Sequence, residues 1–98
     1  MRYLNFAVHY PKPEHVEDLL DAMHQLADAV HDSPGLLQMA AFHDEANDRI
    51  LAVSIWQSAA EFESARAQMI PIVAHTPFNA WERRPREIIA LSEAVTKS

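Results

Sequence analysis

Apolar and polar residues alternate along the start of the chain and then change to helical spacing. Residues 2–10 place successive side chains on opposite sides of an extended backbone, which predicts a strand. From about residue 13 to residue 32 apolar residues recur every three or four positions, which predicts a long amphipathic helix. Pro13 suits the first turn of this helix, and the sequence Ser33-Pro34-Gly35 is expected to end it.

The middle of the chain predicts a hairpin. Residues 36–43 and 49–57 are mostly apolar, and residues 44–48 between them form a polar turn. Ser58 and Glu61 then match a capping box, in which each side chain bonds the other residue's backbone at the start of a helix.

The last third of the chain is less regular. The capped helix is expected to run from residue 59 to about residue 70, because Pro71 ends or kinks a helix. Residues 86–94 predict a final strand. The segment 72–83 stays open, although Thr76-Pro77 can start a short helix that contains Phe78 and Trp81.

The order of elements is βαββαβ, which predicts an α+β fold of the ferredoxin-like type. With right-handed crossovers it gives a four-stranded antiparallel sheet with two helices on one face. The chain has 98 residues, so we expect residues 1–98 to form a single domain.

The strands are apolar on both faces, which predicts a homodimer. In the third strand Leu51, Val53 and Ile55 point one way, and Ile50 and Trp56 point the other. An antiparallel sheet with one face in water normally alternates apolar with polar residues. Two helices cover only one face, so we expect a second copy to pack on the other. A terminal segment folded over that face is the alternative.

Composition limits the classes of binding partner and the cellular compartment that we expect for this protein. The formal net charge is -6, and the small basic cluster Arg83, Arg84 and Arg86 does not outweigh it, so we expect no nucleic acid partner. There is no cysteine, which excludes thiolate chemistry and disulfides. No apolar run approaches the roughly 20 residues of a membrane span, and the first residues lack a signal-peptide pattern. A cytoplasmic protein without a membrane partner is the expectation.

The Pro34-Gly35 turn and the segment from Trp56 to Phe62 resemble the antibiotic biosynthesis monooxygenase family. The resemblance rests on a third strand that ends in tryptophan, a capped turn with Ser58 and Glu61, and an aromatic residue six positions after the tryptophan. It implies a dimeric α+β barrel with a pocket between sheet and helices, lined by Trp56. It also implies a cofactor-independent monooxygenase that oxidises a small aromatic or phenolic, quinol-type compound without metal or flavin.

Three positions depart from the patterns of this family. Ala52 stands where some members have an asparagine, Phe62 lacks a hydroxyl, and Arg66 stands where haem-degrading relatives have a histidine. Two alternatives therefore stay open. One is a non-catalytic small-molecule-binding or stress-related protein of the same fold. The other is a haem-binding relative, in which His75 would replace the missing ligand.

Candidate site residues follow from these patterns, each with a structural alternative. Trp56 is expected to stack an aromatic substrate or else to fill the core, and the small Ser54 on its face leaves room for a cavity. Phe62 joins it as an aromatic wall. Asn5 can bind a ligand or satisfy backbone groups, and Arg66 can hold a substrate oxyanion or pair with a glutamate.

Three histidines are the candidate catalytic bases, because imidazole titrates near neutral pH. His9 and His43 lie on strands, where they could instead belong to the dimer interface, and His75 lies in the open segment at a possible pocket lip. His24, Asp28 and His31 share one helical stripe, but this stripe is expected to face solvent, so we predict no metal site.

Overall fold

The computed structural model describes residues 1–97, and its elements follow the predicted order. They are β1 (Tyr3–His9), α1 (Val16–Val30), β2 (Leu36–Asp44), β3 (Arg49–Trp56), α2 (Ala59–His75), the short α3 (Phe78–Trp81) and β4 (Glu87–Ser92). Single 3-10 turns precede α1 and β3, at Pro13–His15 and Glu45–Asn47.

The four strands form one antiparallel sheet in the order β2-β3-β1-β4. The helices pack on one face of this sheet. The predicted ferredoxin-like α+β fold is therefore confirmed. Because β1 and β3 occupy the centre of the sheet, the side chains of these two strands form the middle of the surface that faces the helices.

Gly35 makes the turn between α1 and β2 possible. Its φ is +84°, a backbone conformation that L side chains rarely adopt. A Cβ at this position would also collide with the side chain of Glu61, which lies directly against it. The turn thus fixes how the start of α2 packs on the start of β2.

The predicted end of α2 at residue 70 is wrong, since the helix continues through Pro71 to His75. A proline inside a helix removes one backbone hydrogen bond, here the bond to the Ala67 carbonyl four positions earlier. The carbonyls of the last turn, after the proline, have side-chain partners. The Thr76 hydroxyl donates to the Ile72 carbonyl at 2.7 Å, and His75 Nδ1 lies 3.0 Å from the Pro71 carbonyl. After this helix, Phe78–Trp81 form the short helix that the sequence left open.

The core consists of two clusters between helices and sheet. One joins Leu19, Ile50 and Phe78, and the other joins Val30, Trp56 and Ala65. Each cluster unites residues of a helix with residues of β3. Within residues 1–97, no helix is both long enough and apolar enough to cross a bilayer.

The sheet face opposite the helices is apolar and lacks a cover at its edges. Strand register places Ala40, Val53, Phe6 and Ile89 in one row across this face, and parallel rows lie on either side of it. At the edges of the face Phe42 is 57% exposed and Leu91 is 51% exposed. No terminal segment of residues 1–97 therefore covers these positions. We call this surface the outer face.

Candidate active site

A cavity of about 820 Å³ lies between the sheet and the helices α1 and α2. Ligand pockets in proteins commonly have volumes of about 300–1,000 Å³. Three alanines in register, Ala41, Ala52 and Ala7, cross β2, β3 and β1 and line it. Because alanine reaches only a short way from the sheet, the space above these residues stays empty.

Most of the remaining wall is apolar or aromatic. It includes Leu20 and Met23 from α1, Phe62 and Met69 from α2, and Phe78. On the side of β4, an edge strand, the cavity is open, since Ile88 lines it and is 61% exposed. Ile70 of α2 also lines it and is 53% exposed. A flat apolar molecule can therefore enter without unfolding either helix.

Polar side chains line the cavity from both the sheet and the helices. The sheet contributes Asn5, His9 and Ser54, and the Ser54 hydroxyl donates to the Asn5 carbonyl at 3.3 Å. Arg66 of α2 also lines the cavity, but it lies 3.4 Å from Glu63 and more than half of its side chain is exposed. Four of the predicted site residues are thus brought to one cavity, and Phe62 is the fifth.

His9 is the most enclosed polar residue of this wall. It is 2% exposed, and its ring stacks on Phe78 with the ring centres 5.5 Å apart. Its Nδ1 atom lies 3.2 Å from Oε2 of Glu82, whose side chain is also buried. Burial lowers the pKa of His9 below its usual value of 6.5, which outweighs the raising effect of Glu82, and the charge of Arg86 lowers that pKa further.

Backbone pairing fixes the position of Glu82. Its residue forms an isolated antiparallel bridge with Pro11, and its Oε1 accepts a hydrogen bond from the Tyr10 N–H at 2.8 Å. The flanking residues extend this bridge. The Lys12 N–H donates to the Trp81 carbonyl at 2.8 Å, and the Arg83 N–H donates to the Tyr10 carbonyl at 2.9 Å. The carboxylate is therefore held by the backbone that continues from β1.

Arg86 brings a positive charge to the same end of the cavity. Its guanidinium carbon lies 4.4 Å from the centre of the Phe78 ring, and its side chain lines the cavity. Phe78 thus contacts both His9 and Arg86. This end of the cavity combines a titratable imidazole, a cation and an aromatic ring.

Trp56 does not line the cavity, contrary to the expectation from the resemblance. It is fully buried behind Phe62, whose ring centre lies 5.7 Å away in an edge-on arrangement. At the end of β3 it packs against Val30 and Ala65, so its ring fills the core between the two helices. Its indole N–H has no partner among the described residues. Phe62 is the aromatic residue that reaches the cavity.

His43 and His75 also lie away from the cavity wall. His43 is exposed near the end of the edge strand β2. His75 is exposed at the end of α2, where its Nδ1 contacts the Pro71 carbonyl. Neither side chain lines the cavity, so His9 is the one candidate base of the three that does.

The stripe of His24, Asp28 and His31 forms no cluster of ligands. His31 Nδ1 contacts the Asp28 carbonyl at 2.8 Å, which raises the pKa of this exposed histidine. His24 instead lines the cavity. In the part of the chain that the structure describes, no three side chains of histidine or acidic residues gather where they could hold a metal ion.

A family model described as antibiotic biosynthesis monooxygenase matches residues 1–69. The chain belongs to the antibiotic biosynthesis monooxygenase family. Its match includes β1, α1, β2, β3 and most of α2, which together contribute the greater part of the cavity wall. No curated protein sequence matches the chain closely enough to count as a relative.

Solved structures share the fold of this chain at low sequence identity. The chain is similar to Rv0793 from Mycobacterium tuberculosis, with 12% identity, all of both chains covered and a TM-score of 0.85. It is also similar to a point mutant of SnoaB, a cofactor-independent oxygenase from Streptomyces nogalater, with 13% identity, 97% of this chain and 95% of that chain covered, and a TM-score of 0.79. At such identities the likeness shows the fold alone.

Sequence analysis missed Glu82 and Arg86, which lie beyond the matched part of this family member. Glu82 is separated from His9 by 73 positions, so no local spacing relates them. The basic cluster of Arg83, Arg84 and Arg86 is evident in the sequence, but spacing alone does not relate it to His9.

Proposed function

We propose that this protein is a cofactor-independent monooxygenase that oxidises a small aromatic or phenolic, quinol-type compound in the cavity. The observation that supports it is the buried His9 on the wall of a cavity of about 820 Å³ that is otherwise largely apolar. Such a cavity suits flat aromatic rings, and the imidazole offers a base to a ring hydroxyl. Membership of the monooxygenase family makes oxygen chemistry the first reaction to test.

The proposed reaction balances with dioxygen as the only co-reactant. For an anthrone, which tautomerises to a phenol, His9 accepts the hydroxyl proton and leaves an electron-rich anion. This anion reduces dioxygen, and the ring carbon forms a bond to one oxygen atom. The resulting peroxide takes the proton back and loses water, so the CH₂ carbon becomes C=O and the second oxygen atom leaves as water. The substrate supplies all four electrons, so no metal or flavin is needed.

The other polar groups have supporting roles in this proposal. Arg86 lies at the same end of the cavity as His9 and can stabilise the phenolate that forms. Arg66 and Asn5, which line the cavity, bind oxygen atoms elsewhere on the substrate in this proposal, and the Ser54 hydroxyl donates to the Asn5 carbonyl. Phe62 and Phe78 offer aromatic faces for stacking.

We also propose that two copies pack through the outer face and that the protein works in the cytoplasm. The support for the dimer is the exposure of Phe42 and Leu91 on a sheet face without a cover. The net charge of -6 favours neither nucleic acid nor an anionic membrane surface as a partner.

Oxygen uptake with a panel of anthrones and quinols tests the reaction. We expect His9→Gln to lower the rate by about 10²-fold or more, as loss of a general base usually does. His43→Gln is the matched control, because it removes a strand histidine outside the cavity and should leave the rate unchanged. A wild-type protein that consumes no oxygen with the whole panel would contradict the proposal, as would a fully active His9→Gln variant.

A non-catalytic small-molecule binder of the same fold is the second candidate. It is favoured by Ala52 and Phe62, which line the cavity without the polar groups that the resemblance led us to expect. Ala52→Phe should fill the cavity, and Ala46→Phe, on an exposed turn, is its control. Ligand binding that Ala52→Phe abolishes, without oxygen uptake in the wild type, would favour the binder.

A further inference from the structure

We propose that Glu82 is a positioning residue that holds His9 as the tautomer with its proton on Nδ1, so that Nε2 is the proton acceptor of the cavity. The catalytic consequence rests on the function proposed above, whereas the tautomer itself does not. Glu82 lies outside the part of the chain that the family model matches.

The hydrogen bonds of Glu82 decide which atom carries the proton. Oε1 accepts from the Tyr10 N–H, which can only donate. Oε2 lies 3.2 Å from His9 Nδ1. A carboxylate can only accept, so Nδ1 has to donate to it. A neutral imidazole has one N–H, and with that proton on Nδ1 the Nε2 atom keeps a free lone pair.

The arrangement is rigid and shielded from water. The side chains of His9 and Glu82 are each 3% exposed. Phe78 stacks on the imidazole, and the bridge between Pro11 and Glu82 fixes the backbone that supports the carboxylate. Water therefore has little access to compete for either bond, and the contacts with Phe78 and Glu82 oppose rotation of the ring.

Other charged or titratable side chains line the same cavity as His9. Arg86, on the segment before β4, lowers the pKa of His9, opposite to the effect of Glu82. His24 of α1 and Glu63 and Arg66 of α2 line the same cavity but do not bond the imidazole. Glu82 is thus the acidic group in contact with the ring.

In this geometry Glu82 orients the imidazole, whereas His9 itself accepts the proton. When a substrate hydroxyl transfers its proton to Nε2, the imidazole becomes a cation with both nitrogens protonated. Glu82 keeps its negative charge and stabilises that cation through the existing bond to Nδ1, without accepting a proton itself. The proton returns from Nε2 to the oxygen intermediate later in the cycle.

Glu82→Gln makes a sharp test, because an amide cannot accept at both positions. The fixed Tyr10 N–H requires the amide oxygen at the Oε1 position, which places the amide NH₂ against His9 Nδ1. That NH₂ donates, so Nδ1 has to accept and the ring proton moves to Nε2. Glutamine is nearly isosteric with glutamate. In this variant we nevertheless expect His9 to adopt the opposite tautomer, in which Nε2 carries the proton and has no free lone pair.

Nitrogen-15 NMR of the histidine rings at about pH 8, where imidazole with an ordinary or lowered pKa is neutral, measures this directly. We expect Nδ1–H for His9 in the wild type and Nε2–H in Glu82→Gln. His9→Gln assigns the signal. Glu87→Gln is the matched control, since Glu87 accepts from the Tyr10 hydroxyl at 2.6 Å instead of contacting His9. A wild-type His9 with its proton on Nε2 would overturn the proposal, and this measurement needs no turnover.

Where oxygen uptake is found, kinetics give the second test. We expect Glu82→Gln to lower kcat by about 10²-fold or more with a much smaller change in KM, and Glu87→Gln to keep both within about threefold. An equal loss in both variants, or none in Glu82→Gln, would refute the positioning role while leaving the proposed function in place. If the wild type shows no turnover, the proposed function fails and the NMR result alone decides the tautomer.

Discussion

At the scale of single residues, His9 is subject to two opposing influences. Burial disfavours its charged form, and the neighbouring Glu82 favours it. The balance lowers the pKa, which keeps the imidazole neutral and able to accept a proton at neutral pH. The same balance affects the stability of the folded chain, because histidine in the unfolded chain titrates near its ordinary value.

His9 is therefore expected to make the protein less stable in mild acid. Its folded pKa lies below 6.5, so between that value and pH 6.5 the unfolded state binds more protons. Its contribution is fully present above pH 6.5 and is lost as the pH falls through the folded pKa. Urea unfolding at pH 7.5 and pH 5.5 measures the change, with about one pH unit on either side of the ordinary value.

The effect should disappear with the side chain. We expect His9→Gln to show a smaller fall in unfolding free energy over this window than the wild type. His43→Gln, which removes an exposed histidine, should behave as the wild type does. If the wild type gains stability on acidification and His9→Gln does not, the direction of the pKa shift is opposite to the one stated here.

Sequence alone could place residues on a strand face but could not pair them across the chain. Alternation in β1 predicted that Asn5 and His9 point the same way, and both line the cavity. Trp56 follows the same rule in β3, yet it lies at the end of the strand where both helices pack, so it is enclosed. Glu82 could not be predicted, because its bond to His9 depends on how the segment after α2 folds back to the end of β1.

Among the secondary-structure elements, α2 carries two local sequence signals, a predicted cap at its start and a proline near its end, and they differ in how well they predict the helix. The Ser58 hydroxyl accepts from the Glu61 N–H at 3.4 Å, but Glu61 Oε2 has no hydrogen-bond partner among the described residues, so one half of the predicted capping box is present. Pro71, by contrast, does not end the helix. Val73 packs against the cluster of Leu19, Ile50 and Phe78, and this tertiary contact favours another helical turn. A proline rule based on local geometry contains no information on such packing.

Removing the cap of α2 should cost stability of a predictable size. Ser58→Ala leaves the Glu61 N–H without its acceptor, and such losses typically cost about 0.5–2 kcal/mol. Urea unfolding at neutral pH measures it. Ser64→Ala on the same helix is the control, since its exposed hydroxyl bonds the Ala60 carbonyl and alanine favours helix, so it should be neutral or slightly stabilising. Equal destabilisation by both variants would show that the cap contributes nothing specific.

In the molecule as a whole, the two faces of the sheet have different roles. The face toward the helices carries the cavity and His9, and the outer face carries rows of apolar side chains. Periodicity made the fold predictable, because each strand and helix has its own spacing of apolar residues. It also made the apolar outer face predictable, because the strands carry apolar residues on both sides.

A second copy on the outer face should make the wild type a dimer at low micromolar concentration, and sedimentation equilibrium measures its mass. Phe42→Glu should weaken this association, because Phe42 is already 57% exposed in one chain and its loss spares the core. Burying such a side chain contributes about 1.5–3 kcal/mol, and two-fold symmetry counts it twice. The dissociation constant should therefore rise by about 10²-fold or more.

Ile70→Glu tests whether association depends on the outer face in particular or on any exposed apolar side chain. Ile70 is 53% exposed, close to the value for Phe42, but it lies on α2 beside the cavity. A charge there should leave the dimer intact, although it should weaken binding of an apolar ligand. Loss of the dimer in Ile70→Glu with retention in Phe42→Glu would move the interface to the helices. A wild type that stays monomeric would contradict the predicted dimer. The rows that contain Phe6 and Leu4 would then face water, and the hydrophobic effect makes such an exposed apolar surface costly.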